Sequence, residues 1–229
     1  MTVLLLRLAG PMQAWGADSR FTRRETLRYP TKSGVLGLLA AARGLRRTDP
    51  IEELMGLRFG VRVDQPGRLL RDFHTAHNWR TGASMPLSER YYLSDAVFVA
   101  GVEGDGSLIE ALDEAVRSPR FPLFLGRRSC PVTGQLGLGV HQGDVETALT
   151  TVDWQARPWY RRQAERQVRL RLYLDAEPGD AVVETLRDVP ESFDPRLRSH
   201  GWRSVASKLV PKENPEGRGV DFFAAVGGA

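Results

Sequence analysis

The sequence predicts an α+β protein with a ferredoxin-like, RRM-like domain followed by a small β-rich lobe. Two observations favour this class: short apolar runs of strand length alternate with two stretches of helical periodicity, and glycine or proline ends most of the runs. In chain order they give strand, helix, strand, strand, helix, strand, which is the ferredoxin-like order found in RNA-recognition modules. We expect this domain to span residues 1–140 and the C-terminal lobe to span 141–229.

The first strand and the first helix are separated by a polar loop. Val3 to Leu8 is an apolar run of the length expected for a buried strand. Across residues 34–45 the apolar residues recur near helical spacing. Thr31 or Ser33 can cap the N-terminus of this helix, and Gly44 can end it.

This loop and the start of the helix form the first candidate binding site. Arg28, Tyr29 and Lys32 lie at a helix N-terminus, whose N–H groups and positive dipole suit an anion such as phosphate. Thr31, Lys32 and Ser33 resemble the end of a phosphate-binding P-loop, but its glycines are missing, so nucleotide hydrolysis is not expected. Cations, an amide and aromatic rings, which can contact phosphates and stack on bases, fill the loop: Gln13, Trp15, Arg20, Phe21, Arg23, Arg24 and Arg28. The alternative is a solvated loop with the tryptophan packed in the core.

The middle of the domain alternates strands and connections. A short helix is expected at 51–55, and strands are expected at 58–63, 69–75 and 91–102. Between the last two strands lies the polar segment 77–90, which we interpret as an excursion between paired strands. Protruding loops of this kind bind a partner or are simply mobile.

A second helix is expected at 107–118, where Ser107 can cap and apolar residues line one face. The glycine-rich segment 121–139 follows, in which Arg127 and Arg128 precede several glycines and prolines. A tight backbone there can approach a ligand closely while the arginine pair supplies charge. The spacing does not fit G-x-G-x-x-G, so a dinucleotide site is not expected. The alternative is that the glycines only turn the chain.

The C-terminal part differs in composition. A strand with a basic outward face is expected at 168–175, a linker at 190–195 and a loop rich in chain-breaking residues at 211–219. Aromatic and basic residues cluster before and within the expected strand: Trp159, Tyr160, Arg161, Arg162, Arg166, Arg169 and Arg171.

Charge and cysteine content limit the classes of function. The 229 residues include 32 Lys and Arg against 28 Asp and Glu, and the net charge of +4 favours an anionic partner, most often nucleic acid. Cys130 is the single cysteine, so no intramolecular disulfide can form. The start of the chain lacks the apolar segment of a signal peptide, and we expect a cytoplasmic protein without a membrane partner. His74 and His77 lack the spacing of a zinc motif, so neither a metal nor a cofactor is expected.

Several segments carry a specific resemblance. The opening pieces are LRLAGPMQAWG and RYPTKSGVLGLL, and the later ones, in order, are RDFHTA, YYLSDAVF and PRFPLFLGRRSCPVTG. This series resembles the CasD family, the RAMP-type subunit of the type I-E CRISPR surveillance complex called Cascade. The agreement is dense over 1–139 and then thins to a patch at 187–205.

The resemblance implies a non-catalytic subunit that binds the 5′ handle of CRISPR RNA and caps the complex next to the backbone subunit CasC. CasA and target DNA are further implied partners. In that family the excursion at 77–90 matches a thumb that inserts between nucleotides of the CRISPR RNA and the neighbouring subunit. The implied thumb residues are His77, Trp79, Arg80, Met85 and Arg90. The implied RNA-binding residues are Gln13, Trp15, Arg23, Arg24, Arg28, Thr31, Lys32, Ser33, Arg71, His74, Trp79, Arg80, Arg127 and Arg128.

Two other functions stay open. Metal-independent RNA cleavage needs a base for the ribose 2′-OH, an acid for the leaving oxygen and cations for the developing charge. His74, Tyr91 and Lys32, or Arg71 in place of the lysine, are candidates for these roles. Related type I-C subunits cut precursor CRISPR RNA with a tyrosine, a lysine and a histidine, whereas type I-E systems assign the cut to CasE. This chain has no Lys-His pair at the corresponding place. The other function is a scaffold that mainly joins protein subunits.

Overall fold

The computed structural model describes residues 1–16 and 23–218. Arg20, Phe21 and the end of the 211–219 segment lie outside the described residues. The strands are β1 (Thr2–Ala9), β2 (Met12–Gln13), β3 (Arg23–Arg24), β4 (Arg58–Gln65), β5 (Arg68–His74), β6 (Ser88–Ser94), β7 (Val97–Gly104), β8 (Gly137–Gln142), β9 (Gln167–Asp175), β10 (Val182–Ser192) and β11 (Ser199–Glu213). The helices are α1 (Lys32–Arg43), α2 (Glu52–Met55), α3 (Gly106–Arg117), α4 (Val145–Thr151) and α5 (Pro158–Gln163).

A seven-stranded antiparallel sheet organises the fold, and it confirms the prediction of a mixed α and β protein. Its strand order is β10-β11-β9-β4-β7-β1-β8. Strand β9 pairs with β4 and β11 pairs with β9, so the C-terminal strands extend the sheet that the N-terminal strands begin. Strand β8 crosses residue 140, and the division into two domains at that point stays a prediction.

Strand β1 is apolar apart from Thr2 and Arg7 because both of its faces are covered. Leu4, Leu6 and Leu8 pack into the main core with the buried side of α1, whereas Val3 and Leu5 pack into a second cluster with α4. A strand buried on both faces reads as a continuous hydrophobic run, as the sequence shows here. The sheet therefore has a helical layer on each side of β1.

Helix α1 begins and ends at the predicted signals. The backbone N–H of Gly34 donates to the Thr31 hydroxyl at 3.2 Å, which makes Thr31 the N-cap. Gly44 ends the helix in the left-handed conformation, at φ 83°. For α3 the prediction of Ser107 as the cap was wrong, because the Asp105 carboxylate accepts from the Ser107 N–H at 2.9 Å.

Three predicted boundaries were also wrong. The segment 91–102 contains the ends of two strands, separated by a turn in which Asp95 has φ 55°. The expected linker at 190–195 begins inside β10, which includes Pro190, and an edge strand tolerates proline because its outer N–H has no strand partner. The expected loop at 211–219 begins inside β11, which continues to Glu213. Pro211 is tolerated in this strand because it lies beyond the part of β11 that pairs with β10 and has a strand partner only in β9.

A buried network of two cations and two carboxylates joins α1 to the C-terminal strands. The Lys32 amine forms an ion pair with the Asp175 carboxylate at 2.8 Å, and the Arg203 guanidinium forms a second ion pair with the same carboxylate at 2.9 Å. Arg203 donates two further hydrogen bonds to Asp188, at 2.7 and 3.0 Å. We call Lys32, Asp175, Asp188 and Arg203 the buried ion network.

The same network occupies the N-terminus of α1. The backbone N–H of Lys32 donates to the Asp188 carboxylate at 2.8 Å. The anion expected at the positive end of the helix is thus present, and the protein itself supplies it from β10. The amine of Lys32, whose residue is only 6% exposed, contacts Asp175 rather than solvent.

Among the described residues no helix is both long and apolar enough to cross a membrane.

Replacing Asp188 with alanine tests how much the fold depends on the network. The change removes the only carboxylate described at the first turn of α1 and leaves Arg203 with Asp175 alone, and loss of one partner from a buried pair costs about 3–5 kcal/mol. We expect urea unfolding to show that loss. Glu53→Ala, which removes the exposed partner of Arg43, is the control and should cost about 1 kcal/mol or less. Equal stability of the two variants would contradict the structural role of the network.

Candidate nucleic-acid interface

Strands β5 and β6 form an antiparallel hairpin that, with its loop, carries six exposed apolar side chains. Arg71 pairs with Tyr91 in the register, and His74 pairs with Ser88. On the other edge of β6 lie the short strands β2 and β3. The exposed apolar side chains of the hairpin and its loop are Leu69, Leu70, Phe73, Trp79, Met85 and Leu87. Such a group of exposed apolar residues on a soluble protein marks a surface that meets a partner.

Arginine side chains stack on the aromatic rings of this hairpin. The guanidinium of Arg71 lies 4.6 Å from the centre of the Phe73 ring, and that of Arg23 lies 5.4 Å from the Tyr91 ring. In the loop, Arg80 lies 4.8 Å from the ring of Trp79, which is 85% exposed. Alternating cations and flat rings provide phosphate contacts and stacking platforms for single-stranded nucleic acid. We call the hairpin β5–β6 with the adjoining strand β3 the hairpin interface.

One carboxylate organises the middle of the hairpin interface. The Glu89 carboxylate accepts hydrogen bonds from the Arg71 guanidinium at 2.5 Å and from the Tyr91 hydroxyl at 3.1 Å. Hydrogen bonding from Arg71 lowers the pKa of Glu89, and the same bond raises the pKa of Arg71. The carboxylate therefore holds Arg71 and Tyr91 in place, and an incoming phosphate has to compete with it for the guanidinium.

The three residues of the nuclease alternative do not come together. His74 lies 2.5 Å from the Asp72 carboxylate, whereas Tyr91 bonds to Glu89. Tyr91 pairs with Arg71 and therefore shares its face of the hairpin. His74 lies three residues after Arg71 on the same strand, so the side chains of Tyr91 and His74 point to opposite faces. Lys32 belongs to the buried ion network. No cluster of three or more potential metal ligands occurs among the described residues.

Gln13 and Trp15, predicted to contact RNA, lie in the core. The Gln13 amide donates to the carbonyls of Leu8 and Ala96 at 3.0 and 2.8 Å, and its oxygen accepts from the Trp15 indole at 3.0 Å. Both side chains are fully buried. They brace the start of the loop rather than present a surface, which agrees with the alternative reading of Trp15.

The remaining predicted residues divide into buried and exposed groups. Thr31, Lys32 and Ser33 are buried at the start of α1. Arg90, predicted to belong to a thumb, stands opposite Asp72, and its Nε is buried without a hydrogen-bond partner. The exposed residues are Arg23, Arg24, Arg28, Arg71, His77, Trp79, Arg80, Met85 and Arg128.

The two arginines of the glycine-rich segment have different surroundings. Arg127 donates to the carbonyl oxygens of Tyr91 and Arg24 at 3.1 and 3.0 Å, and its guanidinium lies 4.7 Å from the Tyr92 ring. It therefore holds the segment against the hairpin interface. Arg128 is exposed beside it, so its charge can meet a partner.

The glycine-rich segment is packed closely against the start of the chain. A Cβ at Gly126, where φ is 83°, would lie 1.7 Å from the Ala14 carbonyl oxygen, so no other residue fits there without moving the backbone. The N–H of Ala14 also donates to the Leu125 carbonyl at 3.1 Å. The glycines thus allow a close backbone contact within the protein.

We did not predict from the sequence that Phe73 and Tyr91 present rings to arginines at this surface, or that Glu89 holds Arg71. The signal for Phe73 was present, because LLRDF places apolar residues on both faces of a strand, which a strand with one buried face does not do. No local pattern indicates Glu89, since its role depends on the pairing of β5 with β6.

Cys130 tests whether the glycine-rich segment is as closely packed in solution. Its thiol is buried, and burial raises the pKa of Cys130, so little reactive thiolate forms at neutral pH. We expect iodoacetamide to modify Cys130 slowly in the native protein and rapidly in denaturant, as followed by mass spectrometry. Gly126→Ala, which disrupts the contact with Ala14, should speed native modification; rapid reaction of the unaltered protein would contradict this packing.

Comparison with known proteins shows the family to which this chain belongs. Residues 3–206 match the family model described as CRISPR-associated protein (Cas_Cas5). The chain is 40% identical over 167 residues to the CRISPR system Cascade subunit CasD of Escherichia coli (strain K12), a match that covers 64% of this chain and 75% of the relative. The chain therefore belongs to the Cas5 family of CRISPR-associated proteins.

Solved structures agree with this assignment. A chain of a CRISPR RNA-guided surveillance complex is similar with a TM-score of 0.78 and 32% identity, covering 96% of this chain and 95% of that chain. The crystal structure of a Cas protein is similar with a TM-score of 0.71 and 38% identity, over 92% of this chain and 95% of that chain. The resemblance read from the sequence motifs is confirmed.

Proposed function

We propose that this protein is the Cascade subunit that binds the 5′ handle of CRISPR RNA and caps the complex next to its backbone subunit. The observation that carries the proposal is the hairpin interface, where three arginine–aromatic pairs lie on the β5–β6 hairpin and the adjoining strand β3. Phosphate contacts by arginine would fix the register of the RNA, while stacked bases supply preference for the handle. The similarity to CasD supports the same assignment.

The fold supports an RNA-binding role. Strands β4, β7, β1 and β8 lie side by side in that order, each antiparallel to its neighbour, with α1 after β1 and α3 after β7. Apart from α2, the short strands β2 and β3 and the β5–β6 hairpin, these elements follow one another in the chain as strand, helix, strand, strand, helix, strand, which is the chain order expected of a ferredoxin-like RAMP domain. The β5–β6 hairpin is our candidate for its thumb. The implied partners are CRISPR RNA, CasC, CasA and, through the complex, target DNA.

The RNA-binding residues we propose are those that are accessible. The set comprises Arg23, Arg24, Arg28, Arg71, His74, Trp79, Arg80 and Arg128. Binding rather than cleavage is the proposed activity, because His74, Tyr91 and Lys32 make no contact with one another and each is engaged with a carboxylate.

Changing the loop of the hairpin tests the binding role. Trp79→Ala with Arg80→Ala removes a stacking platform and its cation, and loss of base stacking costs about 1–3 kcal/mol, or roughly 5- to 150-fold in affinity. Fluorescence anisotropy with handle RNA measures the loss. The control is Trp202→Ala, which removes another exposed tryptophan, on β11, and should bind normally. Equal affinity of both variants would exclude the loop from the interface.

Incubation with labelled repeat RNA in EDTA separates the three candidate functions. We expect intact RNA and binding that is lost when the handle sequence is changed. A discrete cut that disappears in His74→Ala would instead identify a metal-independent nuclease, since His74 is the histidine of that alternative. The absence of both binding and cutting would favour the scaffold.

A further inference from the structure

A cleft lies beside α5, on a part of the protein that the hairpin interface does not use. Its volume is about 790 Å³, and Trp154, Tyr160, Arg169, Arg171 and Pro211 line it. It is bounded by β9, by the end of β11 and by the segment around α5. Trp159, Arg162 and Arg166 lie outside the lining itself, on the chain that borders the cleft next to Tyr160, Ala164 and Glu165. We call the cleft together with this exposed border the α5 groove.

The chain around the groove is strongly basic. Residues 157–171 contain six arginines and a single acidic residue, Glu165. Arg157 is paired with Asp95 at 2.7 Å and Arg161 with Glu216 at 2.8 Å. The other four have no ion pair within the described residues, and all four are exposed: Arg162, Arg166, Arg169 and Arg171.

The positive charge around α5 also acts on a neighbouring cation. Burial, and after it the nearby charge of Arg157, lower the pKa of Arg7. A surface on which cations disfavour one another attracts a polyanion, because each phosphate contact relieves that repulsion and releases counterions.

An aromatic series stands beside these arginines. Trp159 is 42% exposed and meets the Tyr160 ring edge-on at 5.6 Å, and Tyr160 meets Trp154 edge-on at 6.1 Å. The indole of Trp154 is held by a hydrogen bond to the Asp64 carbonyl at 2.9 Å. The outer ring, Trp159, is thus a supported surface on which a base can stack.

The α5 groove is continuous with the base of the hairpin interface. Pro66, which lines the groove, connects β4 to β5. Arg157 joins the two regions, since its guanidinium pairs with Asp95 between β6 and β7 and its N–H donates to Gln65 at 3.2 Å. A strand held on the hairpin can therefore pass into the groove beside Pro66 and Arg157.

We propose that the α5 groove holds single-stranded RNA that continues from the hairpin interface. Arg162, Arg166 and Arg169 contact its phosphates and Trp159 stacks on a base. The partner is a polyanion with exposed bases because the groove pairs unneutralised cations with an exposed ring, and an acidic protein surface would use only the cations. This inference rests on the proposed function.

The test compares short and long RNA on the full chain. The short RNA is the handle alone, and the long RNA extends it at the 3′ end by about 16 nucleotides, the upper size of a single-strand site. The groove variant is Arg166→Gln with Arg169→Gln, and the control is Arg46→Gln with Arg47→Gln, which removes two exposed arginines elsewhere. Both should melt like the unaltered protein, since neither pair contributes an ion pair within the described residues.

We expect the groove variant to bind the long RNA about tenfold more weakly than the control, with a log–log salt slope reduced by roughly 1.4, which corresponds to two phosphate contacts. Both variants should bind the handle alone equally. Trp159→Ala should weaken binding of the long RNA without changing the salt slope, because it removes stacking and no charge.

Other results overturn the inference in distinguishable ways. A groove variant that matches the control on both RNAs, while Trp79→Ala with Arg80→Ala loses binding, excludes the groove and leaves the proposed function standing. Equal losses on both RNAs would mean that the arginines act on the handle and not on an extension. Failure of the unaltered protein to bind either RNA would overturn the proposed function as well.

Discussion

The buried ion network is the interaction on which the rest of the structure depends. It places two cations and two carboxylates in the interior with their charges balanced and their hydrogen bonds formed, which offsets the cost of removing them from water. Its members come from α1, β9, β10 and β11, so it fixes the first helix against the last strands of the sheet. Because the Asp188 carboxylate already occupies the N-terminus of α1, the nucleic-acid contacts that we propose lie on other surfaces.

One junction positions both of the basic surfaces. The Gln65 amide donates to the backbone and side-chain oxygens of Asp95 at 2.6 and 3.0 Å. Arg157, at the start of α5, forms an ion pair with the same Asp95. The hairpin and the groove are therefore held at the same end of β4. Their relative position is set by hydrogen bonds within the protein, so an RNA strand would meet two surfaces that are already arranged.

Regular elements were predictable because their signals are local. Thr31, Gly44 and the apolar run of β1 identify the first strand and helix by spacing alone. The roles of Gln13 and Lys32 were not predictable, since the partners Ala96 and Asp175 lie 83 and 143 residues away in the chain. A cation before a helix looks the same in sequence whether it meets a phosphate or a buried carboxylate. The exposed hairpin was indicated by its polar, glycine-containing loop, but the Arg–aromatic pairs depend on strand register.

One of the two edges of the large sheet has a consequence for assembly. Strand β10 forms this edge, and its pairing with β11 shifts register at three places along its length, one of them next to Pro190. An edge interrupted in this way offers no continuous row of N–H and C=O groups. Extension of the sheet by another polypeptide strand is therefore disfavoured here. Any subunit that meets this end of the molecule has to recognise side chains, and such a contact can change its specificity through single substitutions without disturbing the fold.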